Sequence, residues 1–291
     1  MTLFELVKIT LDGLYTEAQE KYGKDEVDAK IKASMAYLSK SYGKLTDPAR
    51  KPVDYRDPAT RFAYVYKYVA AHGDYIVQLL ALTQDKIGKI FLNAKTRVTC
   101  VGGGPGSDIL AVLKYLDDYK GTEDEVEKVT FYLLDKEQAW ADTWTELEDS
   151  FEAKVGLNSY FQTMDVTDPE SWTLQKKSLD SDIFTISYFA SEVYALDKDG
   201  VVSAFWASLF KNAKPGALFL YIDNGNDRFN KYFDALCKKA ELESVLAEDN
   251  QHWIPRHTEQ AAVLAKYKVM FGEMSKLRGN LSFRVLRKPD K

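Results

Sequence analysis

The residues best suited to chemistry stand in one run, Val98-Thr99-Cys100-Val101-Gly102-Gly103-Gly104-Pro105-Gly106-Ser107-Asp108, where a hydrophobic strand breaks into a glycine loop and then a helix. Glycines there let the backbone pass close to a ligand, and the helix that follows presents free N–H groups to it. A dinucleotide fingerprint would place its third glycine where Ser107 stands; here the third is Gly106, so the spacing is GxGxG. A second strand, 128–134, runs into Asp135, 29 residues beyond Gly106. A carboxylate at that point can accept hydrogen bonds from both hydroxyls of a ribose, and it is equally what caps a following helix.

Those residues need elements to hold them. Beyond position 95 the chain alternates short β-rich runs with amphipathic stretches, the pattern of a parallel sheet with helical crossovers. Strands are expected at 97–101, 128–134, 159–163, 182–187, 217–222, more weakly at 242–247, and at 281–286. Helices are expected near 107–119, 137–154, 201–211, 227–240 and 258–274. Before position 90 the spacing predicts helices over 1–22 and 25–42, then a loop, Thr46-Asp47-Pro48-Ala49-Arg50-Lys51-Pro52, and a further helix capped by Asp57 and opened by Pro58. The segment 61–68 also alternates Phe62, Tyr64, Tyr66 and Tyr68 with period two, so a strand stays open there.

The GxGxG loop, Asp135, the trio Met164-Asp165-Val166 after the third strand, and Asn212-Ala213-Lys214-Pro215-Gly216-Ala217 leading into the fifth resemble, in that order, the class I S-adenosylmethionine-dependent methyltransferases. The resemblance spans about residues 90 to 291. It implies an α/β fold, a doubly wound seven-stranded Rossmann-like sheet, with residues 91–291 as catalytic domain and 1–90 as an N-terminal helical cap or lid. It also implies S-adenosyl-L-methionine as cofactor, cradled by Gly102, Gly103, Gly104 and Gly106, with Asp135 on the ribose, Asp165 on the adenine amino group and Val166 over the ring. One departure is visible: the acid usual two residues before the first glycine is Cys100. Asp108 either replaces it or caps its own helix.

In this family the acceptor meets the cofactor beside the fourth strand's end, here Thr185-Ile186-Ser187-Tyr188-Phe189-Ala190-Ser191-Glu192-Val193-Tyr194. Ser187 is expected at the cofactor. Tyr188 and Glu192 are the catalytic candidates, with packing and a surface charge as the alternatives. The segment lacks the Asn-Pro-Pro-Tyr motif of many nucleic-acid amino methyltransferases. Arg61, Tyr64, Tyr68 and His72 fall at helical spacing and form either a face that closes over the cofactor, Arg61 holding its carboxylate, or a core stripe. His252 and His257 lie in an expected loop near the acceptor.

Net charge is −5, which disfavours a surface built for nucleic acid, although eight Lys or Arg against two acids between Lys266 and Lys291 leave a local patch. Two distant cysteines, Cys100 and Cys237, suggest neither a disulfide framework nor a zinc site. No membrane span and no basic secretion signal are evident, so a cytoplasmic protein is expected. The expected activity is methyl transfer to a small-molecule or protein acceptor. An RNA methyltransferase and a non-catalytic S-adenosylmethionine sensor or scaffold are the alternatives, and oligomeric state is open.

Overall fold

A computed structural model describes residues 2–87, 90–91, 93–118, 126–149, 155–173, 176–256 and 262–290. The chain opens with helices α1 (Leu3–Tyr22), α2 (Val27–Tyr42), α3 (Pro58–Tyr64), a π-helical turn (Val65–Val69), α4 (Ala70–Leu82) and α5 (Gln84–Ile87). The alternating part follows: β1 (Lys95–Val101), α6 (Ser107–Asp118), β2 (Lys128–Asp135), α7 (Ala139–Asp149), β3 (Gly156–Thr163), α8 (Pro169–Thr173), α9 (Lys176–Leu179) and β4 (Ile183–Ser187). The rest comprises α10 (Phe189–Tyr194), α11 (Val201–Asn212), β5 (Leu218–Asn224), α12 (Asp227–Lys239), β6 (Glu243–Trp253), α13 (Ala265–Phe271) and β7 (Gly279–Arg287).

The seven strands form one sheet in the order β3-β2-β1-β4-β5-β7-β6. Pairing is parallel from β3 to β5, with Val98 opposite Phe131 on one side and Ile183 on the other. β7 runs antiparallel to both β5 and β6. The chain reverses direction of growth between β1 and β4, and the crevice beyond the carboxyl ends of such strands is where open α/β sheets bind ligands.

Both faces of the sheet are covered. Val98, Phe131 and Leu220 share one apolar cluster with α4 and α6, and Leu3 and Leu6 of α1 reach into it. Phe184, Phe219 and Tyr221 pack on the other face against Trp206 and Phe233 of α11 and α12. A third cluster joins α1, α2 and α3 to Trp140 of α7 and Tyr267 of α13.

The local signals behave as physical chemistry requires. Thr2 and Glu5 form a reciprocal capping box on α1, and Asp57 accepts the Ala59 N–H to start α3 with Pro58 in its first turn. The strand alternative for 61–68 is wrong. Phe62 and Tyr66 form one stripe at i, i+4 in the helical core, while Tyr64 and Tyr68 form another that lines a cavity. Two buried faces of one helix imitate period two. β6 extends to Trp253, well past the expected 247, because it is an exposed edge strand with two register shifts, and exposure removes the hydrophobic signal. Of the helix expected over 258–274, Ala265–Phe271 is seen and 257–261, with His257, lie outside the described residues; so do 150–154 of the helix expected over 137–154. Among the described residues no helix is long and apolar enough to cross a membrane, and no group of three or more His, Cys, Asp or Glu could hold a metal ion.

Candidate active site

A cavity of about 890 Å³ lies beyond the carboxyl ends of β1, β2 and β4. Its floor is the glycine loop. Gly102 has φ +67, and a Cβ there would stand 2.0 Å from the Phe189 ring, so only glycine lets the loop pass under α10. Gly104 opens directly on the cavity. Gly103 and Gly106 face the other way: a Cβ would meet Leu133 Cδ1 at 2.5 Å or Trp144 at 2.4 Å, so these two allow close packing of the loop on β2 and α7.

Asp135 reaches the cavity from the end of β2. Its Oδ2 accepts the Gly104 N–H and its Oδ1 the Glu137 N–H, each at 2.9 Å. A carboxylate has about four lone-pair sites, so two remain for a ligand's hydroxyls. Burial raises its pKa to about 6 against the pull of those two backbone donors. Met164 and Val166, both buried, form an apolar wall beside it. Asp165 sits at that rim, paired with Lys136 Nζ at 2.5 Å and accepting from the Thr167 N–H and hydroxyl. Burial opposes its ionisation, but these partners outweigh it and hold the pKa below the usual carboxylate value.

Asp108 is not in this cavity wall. Its Oδ2 accepts the Thr185 hydroxyl at 2.5 Å inside the core between β1 and β4, and burial lifts its pKa to about 6. Cys100 is buried with it, its thiol held well above the ordinary range by burial and by Asp108. Arg61, expected to hold a cofactor carboxylate, is also elsewhere. It is buried against Glu17, its Nη2 donating at 2.5 and 2.6 Å, and its Nη1 donates to the carbonyls of Tyr55 and Arg56.

Arg50, by contrast, lines this cavity. This residue is 9% exposed; its Nη1 donates to the Glu192 carbonyl at 2.7 Å, while Nε and Nη2 are buried without a partner. An unpaired buried guanidinium is costly, and a compact anion would satisfy it. Ser187 Oγ, also on the cavity wall, is a further buried atom without a partner.

β4 is followed by Tyr188, which adopts a left-handed conformation (φ 56°) before α10 begins. That bend is fixed from β5: Tyr188 N–H donates to the Ile222 carbonyl at 2.7 Å and Asp223 Oδ2 accepts the Ser191 N–H at 2.8 Å. α10 thereby carries Glu192 to a shared wall, for Tyr64, Tyr188 and Glu192 border both the large cavity and a neighbouring one of about 340 Å³. Burial raises Glu192 to about 7, with Arg50 pulling it the other way. Tyr68 and His72 line only the smaller cavity. Eight residues of plain α-helix overshoot two turns by about a fifth of a turn, and the wider turn at Val65–Val69 takes up that excess. Tyr64, Tyr68 and His72 therefore align, with ring centroids 5.4 and 5.5 Å apart in succession.

His252 is placed in β6, its Nδ1 3.0 Å from Asn280 Oδ1, and borders neither cavity; the expected loop begins only after Trp253. Part of the basic tail is structural too: Arg284 pairs with Asp234 and Asp249, and Lys288 Nζ donates to the carbonyls of Lys211 and Ala213. Sequence reasoning missed Arg50 and Lys276, and the only hint of the first was a basic pair inside the proline loop.

No protein-family model matches the chain, and neither does any curated protein. Among solved structures, an O-methyltransferase family protein from Burkholderia thailandensis is 12% identical over 90% of this chain and 72% of its own, at a TM-score of 0.47. The N-methyltransferase NodS from Bradyrhizobium japonicum, in complex with S-adenosyl-L-homocysteine, is 8% identical over 86% and 97%, TM-score 0.44. The 16S rRNA methylase ArmA is 11% identical over 87% and 97%, TM-score 0.45. The sheet order, with an antiparallel β7 between β5 and β6 and a glycine loop at the switch point, is that of a doubly wound Rossmann-like α/β fold.

Proposed function

We propose that the protein is an S-adenosylmethionine-dependent methyltransferase whose acceptor is a small molecule. The observation that carries this reading is the shared wall: Glu192, Tyr64 and Tyr188 stand between a cavity with the features of a nucleoside site and a second one too small for more than a compact ligand. The first cavity fits the cofactor part by part. Asp135 has lone pairs left for ribose hydroxyls, Met164, Asp165 and Val166 offer an apolar face with an acid for adenine, and the unpaired Arg50 suits the amino-acid carboxylate.

The bound cofactor supplies a methyl group on a cationic sulfur, displaced in line. The chain's residues do the rest. Arg50 fixes the cofactor's amino-acid end and Asp135 its ribose, and Tyr64 with Tyr188 orients the acceptor and excludes water at the junction. Tyr64 and Tyr188 would hold an acceptor lone pair in line with that methyl group, whose carbon–sulfur bonding pair would return to sulfur. The proton lost from the acceptor's O–H or N–H goes to the Glu192 carboxylate, whose pKa near 7 suits a general base at neutral pH.

A protein side chain or an RNA base is less favoured, given the cavity's size and the net charge of −5. A non-catalytic sensor would have no use for a carboxylate at the cavity junction. Incubation with methyl-labelled cofactor and a cell extract, then fractionation into small molecules, protein and RNA, tests the reading. Label in the small-molecule fraction supports it; label in RNA or protein alone, or none with cofactor bound, overturns it.

A further inference from the structure

The smaller cavity has one corner whose polar groups are prepared for a negative charge. Lys276 reaches it from the segment after α13, and the widened turn in the helix opposite places it. Lys276 N–H donates to the Lys67 carbonyl at 2.8 Å, and Ser275 Oγ donates to the Tyr66 carbonyl at 2.6 Å. The ammonium then lies 5.0 Å from the centre of the Tyr188 ring and 3.5 Å from its hydroxyl. Among the described residues no carboxylate comes within salt-bridge distance of it, so most of its hydrogen-bonding capacity is unused.

His72 stacks on the same tyrosine ring, with ring centroids 3.8 Å apart and planes at 15°. His72 is 5% exposed, lines the cavity, and its Nε2 is buried without a partner. Burial, and then Lys276, hold its pKa well below the ordinary value, so the ring is neutral and has one N–H to give if that tautomer is selected. A half-buried ammonium with no carboxylate within salt-bridge distance and a buried ring nitrogen lacking a partner are each unfavourable alone. One ligand carboxylate would relieve both. The remaining wall is aromatic, with Tyr42, Tyr68 and Phe229, and Glu192 stands where the large cavity begins.

We infer that the acceptor is a small carboxylic acid with a planar apolar body, its carboxylate held by Lys276 and His72 and its protic nucleophile directed toward Glu192. The acceptor role rests on the methyltransferase reading; the anion-binding corner does not. The test is calorimetry on the full chain with salicylate and anthranilate, their primary amides, and the matching benzylamines, each titrated with and without S-adenosylhomocysteine. The expected result is at least tenfold tighter binding of the carboxylates than of the amides or amines, and loss of that preference in Lys276→Gln with its return in Lys276→Arg. Absence of carboxylate binding, equal binding of the amides, or a preference that survives Lys276→Gln overturns the inference. S-adenosylhomocysteine affinity, measured in parallel, reports the large cavity: failure there overturns the methyltransferase reading and leaves the carboxylate preference to be judged on its own.

Discussion

Replacing Glu192 with glutamine should make the protein more stable and less active, with a pH dependence that identifies the cause. Burial lifts the Glu192 carboxyl from its ordinary value of 4.5 to about 7. Below pH 4.5 the folded and unfolded chains are both protonated there, and the residue contributes no pH-dependent term. Between pH 4.5 and about 7 the folded chain keeps a proton that the unfolded chain has lost, so stability falls as pH rises. At about 1.36 kcal/mol for each tenfold change in proton affinity, the full loss is roughly 3 kcal/mol. Two features reduce what glutamine recovers. The side chain keeps some contact with the cavity's solvent, and the substitution removes the negative charge facing Arg50. A gain of about 1–2 kcal/mol at pH 8 remains, or roughly 2–4 °C in a chain of this size, with none at pH 4. Asp108 has a raised pKa of its own that is common to both proteins and cancels in the difference, whereas Asp135 and Asp223 repel the Glu192 charge and are themselves relieved when glutamine removes it. Urea denaturation followed by circular dichroism from pH 4 to 8 measures it. If Glu192 is the base, kcat falls by about 10²–10⁴. A stability gain that is the same at every pH, or a loss at pH 8, refutes the burial argument.

Three further outcomes are expected. Arg50→Met should weaken S-adenosylhomocysteine by about tenfold or more, on the scale of 1.5–3 kcal/mol for a charged hydrogen bond, while leaving 5′-methylthioadenosine, which has no carboxylate, unchanged in parallel calorimetry; equal losses for both would mean Arg50 only supports the loop. Asp135→Ala should weaken S-adenosylmethionine, S-adenosylhomocysteine and 5′-methylthioadenosine alike, by a similar amount, because they share the ribose; a loss limited to one of them would remove the ribose assignment. Gly106→Ala should destabilise by about 1–3 kcal/mol, since its Cβ would overlap the Trp144 ring at 2.4 Å on a backbone with φ +80, and a thermal melt indistinguishable from the parent would show that the loop can shift.

What could be read from sequence follows from where the information lies along the chain. Val98–Val101 of β1 and Ile183–Ile186 of β4 are buried at every position and therefore appear as runs of apolar residues and threonine, and the glycine loop and Asp135 adjoin strand ends, so motif and position are read together. Arg61 had the better helical spacing, yet Glu17, 44 residues earlier, takes its guanidinium, and no local pattern reports that pairing. The widened turn at Val65–Val69 contains no proline or glycine to mark it, so neither the alignment of Tyr64 with His72 nor the placement of Lys276 was legible. The two cations that sequence missed share a dependence on distant parts of the chain. Arg50, in the loop between α2 and α3, is oriented by a carbonyl of α10; Lys276, after α13, is oriented by carbonyls of the π turn. The cavities consequently depend on the helical segment for both anion-holding groups, while the sheet supplies the glycine loop and Asp135. A nucleoside needs only the second set. A carboxylate-bearing cofactor or acceptor needs the first, so discrimination for acids belongs to the packing of α2, α3 and the π turn on the sheet.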